Sequence, residues 1–366
     1  MNADPYSVLI VDDSAMMRNL VGRIVESDER TTVAGKAMNG RFALGKIESL
    51  RPEVIVLDLE MPEMNGIEFL QERRTRRIDI PVIVLSSVAT KGARITMEAL
   101  SLGASDFILK PSGSVSTDIH AVADQLLDLI VALGAEYRGR ASREHGPSHP
   151  PAGQAVAPAP APPVRAKRPP VDPGPIDLVA IGVSTGGPNA LRKMLALVPG
   201  DLPCPIVVVQ HMPAGFTTEF AASLDRVCRL TVREASDGDR MRAGFVYVAP
   251  GDHHLTVASS AKRGEIRVDR EPPRNGHRPS ADVLFASVAA EYGKRAMGVI
   301  MTGMGRDGAA ELGSILRAGG ITIGQDAATS VVYGMPRVAY ELGHVERQVP
   351  LAQMAQTISR LVREHR

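Results

Sequence analysis

A serine framed by glycines, Gly182-Val-Ser184-Thr-Gly186, follows the apolar run Leu178-Val-Ala-Ile181. Gly-x-Ser-x-Gly is the spacing of a nucleophile elbow, a sharp strand-to-helix turn that pushes a hydroxyl into the open. Glycines on either side permit the strained turn and leave room for a substrate beside Oγ, although a plain glycine-rich turn after a buried strand reads the same way. A serine hydroxyl is a poor nucleophile without a base, and the base needs a partner that fixes its tautomer. His211 closes the next apolar run, Ile206-Val-Val-Val-Gln210, and Asp307 lies in the glycine-rich stretch Met301-Thr-Gly-Met-Gly-Arg-Asp307-Gly308 after another. At one edge of a parallel sheet these three could form a set, with Asp307 accepting the Nδ1–H of His211. Each also has a structural alternative: a strand-end histidine can serve packing, and Asp307 can cap a helix beginning at Gly308. His253 and His254 are rival bases, but Pro-Gly-Asp-His-His reads as an exposed turn; His277 falls in the loop before a Ser280-capped helix. The order Ser184, His211, Asp307 is not the Ser–Asp–His order of α/β-hydrolases, and no lysine follows the glycines as a phosphate-binding loop requires.

A second set of reactive groups lies in the first half. Asp12 and Asp13 end one apolar run, Asp58 a later one, Ser86 the next and Lys110 the last. Any one of them could be a cap or turn residue. Three carboxylates gathered at one site repel each other unless a cation is bound, and an all-oxygen set suits octahedral Mg²⁺. Asp58 could then attack a phosphoryl group, with Lys110 neutralising phosphoryl charge and the Ser86 hydroxyl donating to it.

Both sets depend on strands that end together. In residues 1–138, strands are predicted at Val8-Asp12, Thr32-Ala37, Val54-Asp58, Val82-Ser86 and Asp106-Lys110, with helices between them and a closing helix from Ile119 to Tyr137. Five strand–helix units predict a doubly wound α/β domain with its site at the carboxyl ends of the strands. Eleven of the chain's 27 prolines fall in residues 139–175. Such a stretch cannot bury enough apolar surface to fold and makes an extended linker, in which Arg165, Lys167 and Arg168 are either solvated charges or a docking motif. In residues 176–366, strands are predicted at Leu178-Val183, Ile206-His211, Ala296-Met301 and Ile321-Gly324, and hairpins in Thr231 to Arg270. That pattern gives a second doubly wound, mostly parallel α/β domain.

The bulk properties narrow the function classes. With 42 basic and 41 acidic residues in 366, there is no overall pull toward nucleic acid or anionic membrane. Apolar runs are too short to span a bilayer, no secretory signal is evident, and two cysteines suit a reducing cytoplasm. A DNA-binding output would need a basic helix-turn-helix, whereas the second half is a long α/β pattern of balanced charge. A silent adaptor domain would have no reason to keep serine, histidine and aspartate together.

Val11-Asp-Asp-Ser14, Asp58-Leu-Glu-Met-Pro62, Gly66 and Lys110-Pro111 resemble response-regulator receiver domains, from about Ser7 to Tyr137. The resemblance implies a flavodoxin-like fold, Asp58 as phosphoacceptor and Phe107 as the aromatic switch partnering Ser86. It also implies Mg²⁺ held by Asp13, Asp58 and the Glu60 backbone carbonyl, with Asp12 acting partly through water. From Ile176 onward, six blocks resemble the catalytic domain of the CheB family of chemotaxis protein-glutamate methylesterases. They are Gly182–Pro188, Gln210–Thr217, Val248–Gly251, Asn275–Ser280, Met301–Gly308 and Gln325–Pro336. Val183 departs from the family's usual Ala. This resemblance implies a cytoplasmic hydrolase that removes methyl groups from glutamyl esters of chemoreceptors and deamidates receptor glutamines, with no cofactor in the catalytic domain. It implies a chemotaxis histidine kinase as phosphodonor and a receiver that covers the active site until phosphorylated. Backbone N–H groups of Thr185 and Met304 are the candidate oxyanion hole.

Overall fold

Continuous Val/Ile/Leu/Ala runs of four to seven residues, separated by amphipathic segments with polar caps, favour buried parallel strands sandwiched by helices. The computed structural model describes residues 4–87, 90–110, 116–144, 174–260 and 263–366, and divides into two units, Met1–Val156 and Ala157–Arg366. Pro111 and residues 145–173 of the predicted linker lie outside the described residues.

The first unit alternates β1 (Tyr6–Val11), α1 (Ala15–Glu26), β2 (Thr31–Ala37), α2 (Gly40–Leu50), β3 (Val54–Asp58) and α3 (Gly66–Thr75). It continues with β4 (Val82–Ser86), α4 (Thr90–Ser101), β5 (Asp106–Leu109) and α5 (Ser116–Glu144). The sheet order is β2-β1-β3-β4-β5 and every pair is parallel. The chain runs outward from β1 first to β2 and then to β3, so the loops after β1 and β3 diverge and leave a crevice at their carboxyl ends. Helix starts are set locally: Ser14 caps α1, Asn39 caps α2, and Asn65 with Glu68 forms a reciprocal capping box on α3. Helix α5 continues beyond the predicted Tyr137 to Glu144, anchored by Arg138, which pairs with Glu53 and lies over the Tyr6 ring.

The second unit contains β6 (Leu178–Val183), α6 (Gly187–Leu195), β7 (Ile206–Gln210), α7 (Phe216–Asp225), β8 (Thr231–Glu234) and β9 (Phe245–Val248). A hairpin follows, β10 (His254–Ser260) and β11 (Arg263–Asp269), then α8 (Ala281–Tyr292), β12 (Ala296–Ile300) and α9 (Ala309–Arg317). The unit ends with β13 (Ile321–Gln325), α10 (Met335–Glu341), β14 (Arg347–Val349) and α11 (Leu351–Glu364). Seven strands form one parallel sheet, β14-β13-β12-β6-β7-β9-β8. β6 stands at its centre with β7 on one side and β12 on the other, so this sheet also reverses direction at its first strand. The predicted hairpins are corrected in part. Among the described strands, β10 and β11 alone pair antiparallel; β8 and β9 join the main sheet in parallel, and the Asp237-Gly238 segment between them is a crossover. Strand β14, only three residues long, was not anticipated.

Candidate active site

In the first unit, β1 delivers Asp12 and Asp13, and β3 ends on Asp58. Their carboxylates each place an oxygen within 4.8 Å of the others. Asp12 and Asp58 are buried, while Asp13 faces out. Lys110, just past β5, reaches Asp58 Oδ2 at 2.8 Å and Asp12 Oδ2 at 3.3 Å. Burial raises the Asp58 pKa; the Lys110 ammonium opposes this and Asp12 reinforces it. Burial pulls Lys110 down, but its bonds to Asp58 and the pull of both carboxylates leave it raised and cationic. Three carboxylates whose charge the single Lys110 ammonium does not cancel offer only hard oxygen donors, so these residues fit Mg²⁺. The Glu60 N–H donates to Asp58 Oδ1 at 3.3 Å. A pocket of about 100 Å³ opens beside Asp58, lined also by Leu59, Ser86, Ile95 and Lys110. The Ser86 hydroxyl is engaged elsewhere, 2.6 Å from Thr96 Oγ1 on α4, a residue the sequence analysis did not single out. Phe107 is buried on β5.

In the second unit the three predicted residues leave adjacent strands β12-β6-β7 at one edge. Backbone bonds from Met301 N to Gly182 O, from Ser184 N to Thr302 O and from His211 N to Val183 O hold the three loops in register. Ser184 sits between the end of β6 and the start of α6, with Gly186 at φ 74° completing the turn. Its Oγ is 3.1 Å from His211 Nδ1, and His211 Nε2 is 2.8 Å from Asp307 Oδ2. The ring nitrogens are therefore reversed from the expected assignment. An ionised carboxylate only accepts, so Nε2 carries the proton toward Asp307 and the Nδ1 lone pair faces the serine hydroxyl.

Asp307 does not cap the helix that follows it. Gly308 is the N-cap of α9 and makes no side-chain bond; that helix start is served by Asp282, whose Oδ1 accepts the Glu311 N–H. Asp307 instead lies at the N-terminus of α8. It accepts Ala281 N at 2.6 Å, Ser280 Oγ at 2.6 Å and Asn275 Nδ2 at 3.1 Å, beside His211. Burial pushes its pKa up, but the His211 bond and charge, Ser280 and the Ala281 N–H outweigh that and leave it well below the carboxylate range. A fixed anion at the positive end of α8 therefore faces His211.

Three further residues take places at the site that the sequence reading did not give them. The His277 ring stacks on His211, centroids 3.9 Å apart and planes 11° from parallel, and its pKa falls to about 4 through burial and then repulsion from His211. His254, expected in an exposed turn, is 1% exposed; its Nδ1 accepts the Ser280 N–H and its Nε2 donates to Pro272 O. Gln210 bridges two site carbonyls. The Asn275–Ser280 block carried a signal for the first, since it holds several polar residues just before a capped helix; nothing local flagged the burial of His254. Thr185 and Met304 both flank the serine. Thr185 follows it directly, and a side chain on Gly303, the neighbour of Met304, would come 2.8 Å from Ser184 Cβ. Val331 packs over Gly186, so close that an added Cβ there would meet it.

The model of the CheB methylesterase family matches residues 179–358, and that of the response regulator receiver domain residues 8–121. The chain is 51% identical to a protein-glutamate methylesterase/protein-glutamine glutaminase of Treponema denticola, over 98% of each chain. It is 49% identical to the protein of the same description in Treponema pallidum, again over 98% of each. Among solved structures, the CheB methylesterase catalytic domain of Thermotoga maritima aligns with a TM-score of 0.50 and 39% identity, covering 52% of this chain and 99% of that domain.

Proposed function

The chain belongs to the CheB methylesterase family, with a receiver domain ahead of the catalytic domain, and we propose that its second unit hydrolyses glutamyl methyl esters through Ser184, His211 and Asp307. It is a protein-glutamate methylesterase and protein-glutamine glutaminase of chemotaxis. The observation that carries the mechanism is the chain of contacts from Ser184 Oγ to His211 Nδ1 and from Nε2 to Asp307 Oδ2.

His211 Nδ1 takes the Ser184 proton as Oγ bonds to the ester carbonyl carbon. The carbonyl oxygen becomes an oxyanion, received by the N–H groups of Thr185 and Met304, each such donor being typically worth about 3 kcal/mol. Asp307 stabilises the imidazolium. His211 then returns the proton to the departing methoxide, so methanol leaves and an acyl-serine remains. Water, deprotonated by the same nitrogen, attacks the acyl carbon, and the glutamate carboxylate and the Ser184 hydroxyl are regenerated. With a glutamine side chain the proton goes to nitrogen and ammonia leaves, so one site serves both reactions.

The substrates are methyl-accepting chemoreceptors, and a chemotaxis histidine kinase supplies phosphate to Asp58 in the cytoplasm. No described helix is long and apolar enough to cross a membrane. Asp12, Asp13 and Asp58, with the Glu60 carbonyl, would hold Mg²⁺, which neutralises phosphoryl charge when bound. Asp58 attacks phosphorus as the P–N bond to the kinase's phosphohistidine breaks and its imidazole leaves; Lys110 steadies the phosphoryl oxygens, and Ser86 leaves Thr96 to donate to one of them while Phe107 follows.

Methanol release from methylated receptor, with and without Mg²⁺ and a small-molecule phosphodonor, tests the reading. Release that rises with phosphodonor and vanishes in Ser184→Ala is expected; full activity in Ser184→Ala would end the assignment.

A further inference from the structure

Gln210 is the last residue of β7, 2% exposed and next to His211. Its Nε2 donates to the Ser184 carbonyl at 3.0 Å and to the His211 carbonyl at 3.2 Å. One amide thus joins the backbones of the serine and the histidine. The β6–β7 ladder has its last paired residues at Val183 and Gln210, so Ser184 and His211 both lie one step past it. The Ser184 carbonyl also accepts the Gly187 N–H, the bond that closes the turn into α6.

The other end of the amide is anomalous. Among the described residues, Gln210 Oε1 is the one fully buried side-chain polar atom without a hydrogen-bond partner. A buried acceptor left unmet is unfavourable, and an apolar side chain of similar shape would avoid it. Turning the amide over would set Oε1 against two carbonyl oxygens and lose both bonds, so the carbonyls dictate its orientation. Oε1 lies over Gly187, the first residue of α6, where an added methyl would collide with it. A glutamine with an unsatisfied oxygen, accommodated by a glycine, is intelligible if its two donated bonds matter more than the lost one.

We infer that Gln210 is a positioning residue that ties the nucleophile to its base. By fixing the Ser184 and His211 carbonyls to one planar group, it adds to the backbone bonds from Ser184 N to Thr302 O and from His211 N to Val183 O, and keeps Oγ within hydrogen-bond reach of Nδ1 past the last paired residues. It touches no substrate and acts only through these two residues, so the inference rests on their proposed roles.

The experiment uses the full-length protein, activated by Mg²⁺ and phosphodonor, as wild type, Gln210→Met, Gly187→Ala, the double variant and Ser184→Ala. It reads kcat and KM for methanol release, the rate of labelling by a fluorophosphonate serine probe, and thermal unfolding. Gln210→Met is expected to fold, keep its KM and lose about ten- to hundredfold in kcat, the scale of a misplaced reacting group. Probe labelling should slow in parallel. Gly187→Ala displaces the same amide and should behave alike, with the double variant no worse than either single one. A folded Gln210→Met that releases methanol and labels at the wild-type rate overturns the inference, as does a loss that merely follows the unfolded fraction. Activity surviving in Ser184→Ala would instead overturn the triad reading beneath it, so the two failures are told apart.

Discussion

In the proposed mechanism His211 becomes an imidazolium in each half of the reaction, and the group against its face bears on how readily it does so. That group is His277, parallel and 3.9 Å away. A second cation there would repel the first, and burial with this same repulsion lowers the His277 pKa to about 4, so at neutral pH it presents an uncharged ring. The consequence for stability follows from the sign of that shift. The unfolded chain takes up the proton near the ordinary histidine pKa of about 6.5, whereas the folded chain resists it. Stability from a neutral His277 is therefore complete above about pH 6.5 and is lost as pH falls from there toward 4. His277→Gln should flatten this part of the profile. Urea midpoints of the catalytic-domain transition at two pH values, one on each side of 6.5, check it; equal pH sensitivity in wild type and variant would refute it. The sequence drew attention to Ser184 and His211 because each ends an apolar run, and to Asp307 because it lies in the glycine-rich loop after another. His277 and His254 were not, since their placement depends on the segment after β11 folding back over the ends of β7 and β12, and no local spacing encodes that.

Ser184, His211 and Asp307 converge because β12, β6 and β7 are neighbours, and the sequence allowed that adjacency without fixing it. Length and burial identified the strands: β3, β4 and β6 fall on the predicted residues, since fully buried parallel strands read as unbroken apolar runs. β8 and β9 were misread because each is only four residues long and β8 alternates exposed with buried positions, the mark of an edge strand rather than of a hairpin arm. That Asp307 bonds the start of α8 rather than capping α9, the structural alternative the sequence offered, is likewise an element-level fact: the carboxylate precedes one helix and is held by the N-terminus of the helix before it. The loop after β12 is held just as tightly on its other side. Gly303 donates to Val332 O, accepts from Met335 N at 2.8 Å, and lies so close to Ser184 that an added Cβ would come within 2.8 Å of its Cβ and also strike Met335 Sδ. Gly303→Ala must push the serine or the loop aside. It should cost about a hundredfold in kcat through misplacement, with a stability loss of about 1–3 kcal/mol from overpacking. Methanol release and thermal unfolding measured together would show both, and an alanine variant with wild-type kcat would mean that this wall does not position Ser184.

A receiver and a hydrolase share one chain here, joined through a segment with eleven prolines between residues 139 and 175. Such a tether keeps the two units at high effective concentration without dictating a contact. A weak, reversible association between them would therefore suffice for control, and a phosphoryl group on Asp58 is the charge that could tip it. The receiver has the parts for that response: a carboxylate and ammonium in contact, a pocket beside them, and a Ser86 hydroxyl now spent on Thr96 that phosphorylation would draw away. A two-state equilibrium moves only as far as the ligand's preference between states, so if the unphosphorylated receiver suppresses the enzyme, the basal activity measures how strongly. Removing residues 1–144, the whole receiver to the end of α5, should raise methanol release without phosphodonor and make it indifferent to phosphodonor. Asp58→Ala in the full chain should hold the low basal rate while abolishing the rise, since it removes the phosphoacceptor and leaves the suppressing domain. The two variants separate suppression from activation. If truncation lowers activity instead, and Asp58→Ala still blocks the phosphodonor response, the receiver stimulates a weak enzyme rather than restraining a strong one. If neither variant differs from the full-length wild type under any condition, the receiver does not govern this hydrolase.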